Sequence, residues 1–175
     1  MSHVLILGGD GYLGWPTAMY FSVRGYQVTV VDNYFRRRVC DEINVGMLYS
    51  VPTLAERTKI WHEKTGYEIK VIIGDLSDPE IMRSLFTGKD LTYQWCLDKK
   101  FNGAPETVVH YAEQPSAPYS LMNYKTANFT LSNNLLVTNN LMFAVKDLSP
   151  ETHIIKLGTM GEYGTPNIDI EEGWI

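Results

Sequence analysis

The 175-residue chain is 45% hydrophobic, 12% aromatic and 20% charged, with a formal net charge of −5. That is the composition of a globular protein with one sizeable core, not of a disordered or fibrous chain. The acidic balance argues against a nucleic-acid partner, which calls for a basic face, although Arg36, Arg37 and Arg38 form a local exception. Two cysteines, Cys40 and Cys96, are too few for a disulfide framework and lack metal-ligand spacing, so no metal and a reducing, cytoplasmic compartment are expected. No stretch approaches the roughly 18 apolar residues of a membrane span, and no membrane partner is expected.

In chain order, residues 4–7 are a continuous branched apolar run ending at Gly8, the pattern of a strand buried on both faces. Helical spacing follows over residues 12–24, closed by Gly25, and residues 28–31 read as a second buried strand. Residues 33–65 form a long insertion whose later part, 54–64, has helical spacing and ends at Gly66. A third strand is expected at 68–73, after which Asp78-Pro79 opens a helix with proline at its first position. Residues 88–103 read as a helix end and a surface loop, residues 107–110 as a fourth strand, 119–147 as a long helix and 153–157 as a fifth strand. Strands alternating with helices predict an α/β protein with a doubly wound parallel sheet, one domain over residues 1–175. The Gly-, Pro- and acid-rich tail, 158–175, closes no element, so the chain is expected to be a fragment.

Gly8-Gly9-Asp10-Gly11-Tyr12-Leu13-Gly14 joins the first strand to the first helix and satisfies GxGxxG and GxxGxxG spacings together. A pyrophosphate needs backbone N–H groups at close range and a helix N-terminus aimed at it, which side chains there would obstruct. Tight turns also collect glycine, but Asp32 ends the second strand 18 residues past Gly14, where a carboxylate binds both hydroxyls of an adenosine ribose. The pair predicts a Rossmann-type site for NAD, since a carboxylate repels a 2′-phosphate. The three arginines read three ways: a solvated surface, a 2′-phosphate site, or a site for a nucleotide-sugar diphosphate. Asp75 is read equally as an adenine contact or as a cap shared with Asp78. His110 ends the fourth strand at the edge where parallel sheets place ligands, yet a packed core histidine is the stronger reading. Thr159, past the fifth strand among glycines, offers a hydroxyl to a sugar, against the alternative of a turn cap.

These residues resemble a family. The glycine turn, Asp32-Asn33 with its arginines, and the run Gly158-Thr159-Met160-Gly161-Glu162-Tyr163-Gly164-Thr165-Pro166 are similar to the extended short-chain dehydrogenase/reductases. Within them, the chain most resembles the UDP-sulfoquinovose synthase family. The blocks that carry this are residues 8–15, Glu113-Gln114 with Ser116-Ala117-Pro118-Tyr119-Ser120, and residues 156–173. Asn134 and Asn140 resemble the asparagines of the superfamily's NxxGTxN helix, with Val137 in place of its glycine.

The resemblance implies that NAD oxidises UDP-glucose at C4, that water leaves C6, that sulfite adds, and that the hydride returns. It implies cofactor contacts from Gly8, Gly11, Tyr12, Leu13, Gly14, Asp32, Asn33, Arg36, Asp75, Leu76, His110, Glu113 and Asn128. Substrate contacts would come from Gln114, Ser116, Tyr119, Met160 and Gly161, with Thr159 and Glu162 as catalytic groups. A homodimer is also implied. Two departures stand out: Pro115 where an arginine is expected, and no lysine four positions after any of the eleven tyrosines. The superfamily's Tyr-x-x-x-Lys pair and most of the substrate-binding part are therefore expected in a further C-terminal segment. Another nucleotide-sugar epimerase or 4,6-dehydratase, or a non-catalytic NAD-binding module, are the alternatives.

Overall fold

The computed structural model describes residues 2–46 and 49–159. Its elements in chain order are β1 (His3–Leu7), α1 (Gly14–Ser22), β2 (Gln27–Asp32), α2 (Phe35–Glu42), α3 (Leu54–Thr65) and β3 (Ile69–Ile73). There follow α4 (Pro79–Thr87), β4 (Tyr93–Trp95), β5 (Thr107–His110), α5 (Ala117–Ser120), α6 (Tyr124–Leu148) and β6 (His153–Lys156). The sheet runs β4-β3-β2-β1-β5-β6. All neighbours are parallel except β4, which lies antiparallel on β3. The expected strands all form. The apolar runs of β1, β2, β3 and β5 are buried on both faces, where helices cover a parallel sheet, whereas β6 is largely exposed, and two clusters result. Leu5, Leu7, Val31 and Val108 pack with Met82, Leu85 and Phe86 of α4 and Val137 and Leu141 of α6. Val4, Ile6, Val28 and Val30 pack with Ala18 of α1 and Leu54 of α3 on the other face.

Three expectations are corrected. Within residues 88–103 the chain forms the edge strand β4, and three residues are too few for a period-2 signal to show. The insertion after β2 contains α2, which buries no residue and so carries no apolar stripe. The helix expected over 119–147 is two helices, because Asn123 caps α6 by accepting from the Lys125 and Thr126 amides while Thr126 Oγ1 accepts from the Asn123 amide. Among the described residues, no helix is long and apolar enough to cross a membrane.

The order of strand addition reverses at β1: β2 and β3 are added to one side of it, β5 and β6 to the other. The crevice beyond the carboxyl ends of β1 and β5 is the place where open parallel sheets bind ligands.

Candidate functional site: a dinucleotide cradle at the switch point

The ladder carries the chain into the glycine turn. The Gly8 and Gly9 amides donate to Val31 O at 2.8 and 3.1 Å, and the Tyr111 amide donates to Leu7 O at 2.9 Å. A Cβ on Gly14 would lie 2.1 Å from Gly8 O, one on Gly9 2.5 Å from Val30 Cβ, and one on Gly8, at φ +87°, 2.8 Å from the Tyr111 backbone. These three glycines are demanded by the packing of turn, helix and strand. Gly11 is different. Its Cβ would meet only Gly8 O, at 3.3 Å, so the fold needs its bareness least and an approaching ligand most. Among the described residues, no protein acceptor pairs with the amides of Tyr12, Leu13 or Gly14 at the start of α1. Tyr12 and Leu13 are exposed beside them. Unpaired donors at a helix start, behind a turn stripped of side chains, fit a dinucleotide pyrophosphate.

Asp32 ends β2 facing this turn. Its Oδ2 accepts from the Asp10 amide at 2.9 Å and its Oδ1 from the Tyr34 amide at 2.7 Å. Burial pushes its carboxyl above the usual range, and the two amides oppose that shift. Tyr34 bends through φ +56° to make its bond, an expensive backbone for a tyrosine that the surroundings must hold. Asn33 Oδ1 accepts from the Phe35 amide at 2.9 Å, so its side chain starts α2. Arg36 is exposed, whereas Arg37 turns inward and binds Asp10 through two nitrogens at 2.7 and 2.8 Å. Arg57 of α3 donates to the same carboxylate.

Beyond β3, Asp75 Oδ1 accepts from the amide and hydroxyl of Ser77 at 3.0 and 2.8 Å, and Asp78 caps α4 separately. Asp75 thus closes a local turn on Ser77 and does not share the cap of α4, while Leu76 is buried in the core. His110 is 1% exposed. Its Nδ1 accepts from the Ala112 amide at 3.2 Å and its Nε2 lies 3.3 Å from Thr138 Oγ1, so the neutral ring donates to the threonine. Burial lowers its pKa to about 4. Glu113 pairs with Lys156 at 2.8 Å, joining the ends of β5 and β6.

The residues expected to touch a sugar divide. Gln114 is buried, and its side chain donates to Ser116 O and Thr130 Oγ1 at 3.1 and 2.9 Å while accepting from the Ser116 amide at 2.6 Å. Ser116 Oγ caps α5 by accepting from the Tyr119 amide at 3.3 Å. Gln114 and Tyr119 thus shape the loop after β5 from its buried side and Ser116 from its exposed side. Asn128 is exposed in the first turns of α6, and Thr159 is exposed past β6. Met160, Gly161 and Glu162 lie outside the described residues.

Two features escaped sequence reasoning, and the two asparagines it noted on α6 gain partners. Asp10, Arg37 and Arg57 meet across separations that no local spacing reveals. The ring of Phe35 stacks on Phe129 at 4.2 Å and meets Tyr119 edge-on at 5.8 Å. This aromatic bridge joins the β2 side of the crevice to the β5 side. Asn134 brackets Gln114, accepting from its amide at 2.8 Å and donating to its carbonyl at 3.2 Å. Asn140 donates to Leu76 O and Ser77 O at 3.1 and 2.9 Å. The two asparagines of α6 thereby hold the loops after β5 and β3. Val137, between them, is buried core. Among the described residues, no group of three His, Cys, Asp or Glu side chains could hold a metal ion.

Comparison with known proteins bears on the family and the fold. The chain is 43% identical over 172 residues to the chloroplastic UDP-sulfoquinovose synthase of Spinacia oleracea, covering 98% of this chain and 33% of that protein. It is 36% identical over 169 residues to the UDP-sulfoquinovose synthase of Sulfolobus acidocaldarius, covering 97% of this chain and 39% of that one. The chain thus spans between a third and two fifths of the length of these relatives. Among solved structures, the UDP-glucose 4-epimerase of Bifidobacterium longum in complex with NAD+ and UDP superposes with a TM-score of 0.67 at 24% identity, over 95% of this chain and 40% of that one. That likeness establishes the fold. Residues 4–173 match the NAD dependent epimerase/dehydratase family, and with a cradle that fits the family's dinucleotide, the chain belongs to it and NAD is its cofactor.

Proposed function

We propose that this chain is the NAD-holding part of an enzyme that converts UDP-glucose and sulfite to UDP-sulfoquinovose and water. The observation that carries the reading is its similarity to two UDP-sulfoquinovose synthases over nearly its whole length. Bound NAD supplies a hydride acceptor for the sugar's C4 and later the donor that restores it, so net redox change is zero.

The protein's own residues have defined tasks in this reading. The amides of residues 12–14 bind the pyrophosphate, and Asp32 binds the adenosine ribose. Thr159 donates or accepts at the sugar's C4 oxygen, and Glu162 moves protons at C5 and C6, where the C6 hydroxyl leaves and a carbon–sulfur bond forms to sulfite. Gln114, Ser116 and Tyr119 hold the sugar side of the crevice in shape, and Met160 and Gly161 are assigned to substrate binding. The Tyr and Lys of the proton relay belong to the portion of the relatives that this chain does not span, and the whole enzyme works as a homodimer in the cytoplasm or an equivalent reducing compartment.

Incubating the full-length protein with UDP-glucose and labelled sulfite should yield a labelled, sulfonated nucleotide sugar. A protein that consumes UDP-glucose with no sulfonated product sinks this reading. Formation of UDP-galactose would favour the second reading, a UDP-sugar 4-epimerase, for which the supporting observation is 30% identity over 86 residues to the UDP-glucose 4-epimerase of Neisseria meningitidis.

A further inference from the structure

The binding of an unphosphorylated ribose gives no task to the arginines after β2. Arg37 Nε and Nη2 grip both oxygens of Asp10, and Arg37 also donates to Val51 O and Pro52 O, each at 2.8 Å. Arg57 binds the same carboxylate from α3, with its guanidinium 4.8 Å from the Trp15 ring of α1. These side chains are largely withdrawn from solvent: Asp10 is 10% exposed, Arg37 20% and Arg57 12%. Arg57 Nε is buried without a hydrogen-bond partner among the described residues. Asp10 is also one hydrogen bond from the ribose carboxylate, through the amide that it donates to Asp32.

Two guanidiniums therefore face two carboxylates, and the cluster is neutral as it stands. A ribose with free hydroxyls preserves that balance. A 2′-phosphate adds about two negative charges beside Asp32, where both guanidiniums are already held by Asp10. The geometry points to Asp10 as the residue that sets cofactor choice: it occupies Arg37 and Arg57, which would otherwise bind a 2′-phosphate, and so keeps the site for NAD. The cluster that resembles a phosphate site in sequence is an occupied one. Neutralising Asp10 releases two fork-shaped donors next to the ribose, and these are the groups best suited to grip a phosphate. Asp10→Asn leaves the backbone amide that aligns Asp32 in place. This inference rests on the adenosine ribose lying at Asp32.

The test is equilibrium binding of NAD+ and NADP+ to nucleotide-free full-length protein by calorimetry, with a melting curve for each variant. Wild type should prefer NAD+. Asp10→Asn and Asp10→Ser should each narrow the preference by about tenfold or more through a gain in NADP+ affinity, and that gain should fall steeply with added salt. Asp10→Asn combined with Arg37→Gln and Arg57→Gln should lose the gain. Arg37→Gln with Arg57→Gln alone, which leaves Asp10 uncompensated, should bind NADP+ more weakly than wild type. An unchanged preference in the Asp10 variants overturns the inference, as does equal weakening of both dinucleotides or a gain that survives loss of both arginines. Undiminished NAD+ binding by Asp32→Asn would instead overturn the ribose placement, and the two failures are thereby distinguished.

Discussion

Single atoms separate the roles of residues that look alike in sequence. Gly11 and Gly14 hold equivalent places in the glycine pattern, but an added methyl at Gly14 collides with Gly8 O at 2.1 Å whereas at Gly11 it meets the same atom at 3.3 Å. Gly14→Ala should therefore destabilise the fold by about 1–3 kcal/mol, as overpacking does. Gly11→Ala should melt within about 1 kcal/mol of wild type yet bind NAD at least about tenfold more weakly, because its methyl enters the pyrophosphate's space. Thermal melts paired with NAD titration check both. His110 is the other residue whose environment has a measurable sign. Its native pKa of about 4 lies below the 6.5 of an unburied imidazole, so the unfolded chain takes up the proton first. Stability is intact above about pH 6.5 and falls as pH drops towards 4, by about 3 kcal/mol at about 1.4 kcal/mol per unit. His3, whose pKa burial also lowers, adds to the same slope. Denaturant melts of wild type and His110→Gln across pH 4 to 7 should show a shallower slope in the variant; equal slopes would refute the assignment.

Among the elements, α6 does most to position the site. It contributes Val137 and Leu141 to the core, and from the same helix Asn134 and Asn140 reach the backbones of two ligand-side loops. Replacing Asn134 by alanine leaves the Gln114 amide and carbonyl without that partner, which should cost about 1–3 kcal/mol. Chemical denaturation measures the loss. Because Gln114 in turn holds Ser116 and Thr130, faster amide exchange should appear at residues 114–119 ahead of the sheet. The insertion between β2 and β3 is tied down at its own points: Arg37 to Val51 and Pro52, and the Leu54 amide to Tyr34 Oη at 2.9 Å. A segment that reads in sequence as an insertion with one helix in its later part is thus fastened beside the glycine turn through Arg37 and Tyr34.

For the whole molecule, α6 presents a second face. Leu131 and Leu135 are each 71% exposed and Met142 55%, at spacings of four and seven residues that place them along one stripe. Exposed apolar stripes are candidates for interaction surfaces, and a second copy of the chain is the expected occupant. Sedimentation of the full-length protein should show a dimer, and Leu131→Glu with Leu135→Glu should shift it to a monomer while NAD binding persists. A wild-type monomer, or an unaffected dimer in the variant, would refute this.

The parallel strands and the glycine turn were legible in the linear sequence for reasons local to it. Buried parallel strands must be continuous apolar runs, a pyrophosphate turn must be stripped of side chains, and the ribose carboxylate must follow one crossover later. Each requirement leaves its mark within a few residues. The edge strand β4 and helix α2 left none, since the first is three residues long and the second buries nothing. The Asp10–Arg37–Arg57 cluster and the Phe35–Phe129 stack were decided by tertiary structure alone. They join residues from different crossovers, and only the winding of the chain about the sheet brings those charges and rings within contact distance. Sequence therefore determined that NAD would be held; the folded chain decided which two arginines reach the glycine turn, and that an aspartate already occupies them.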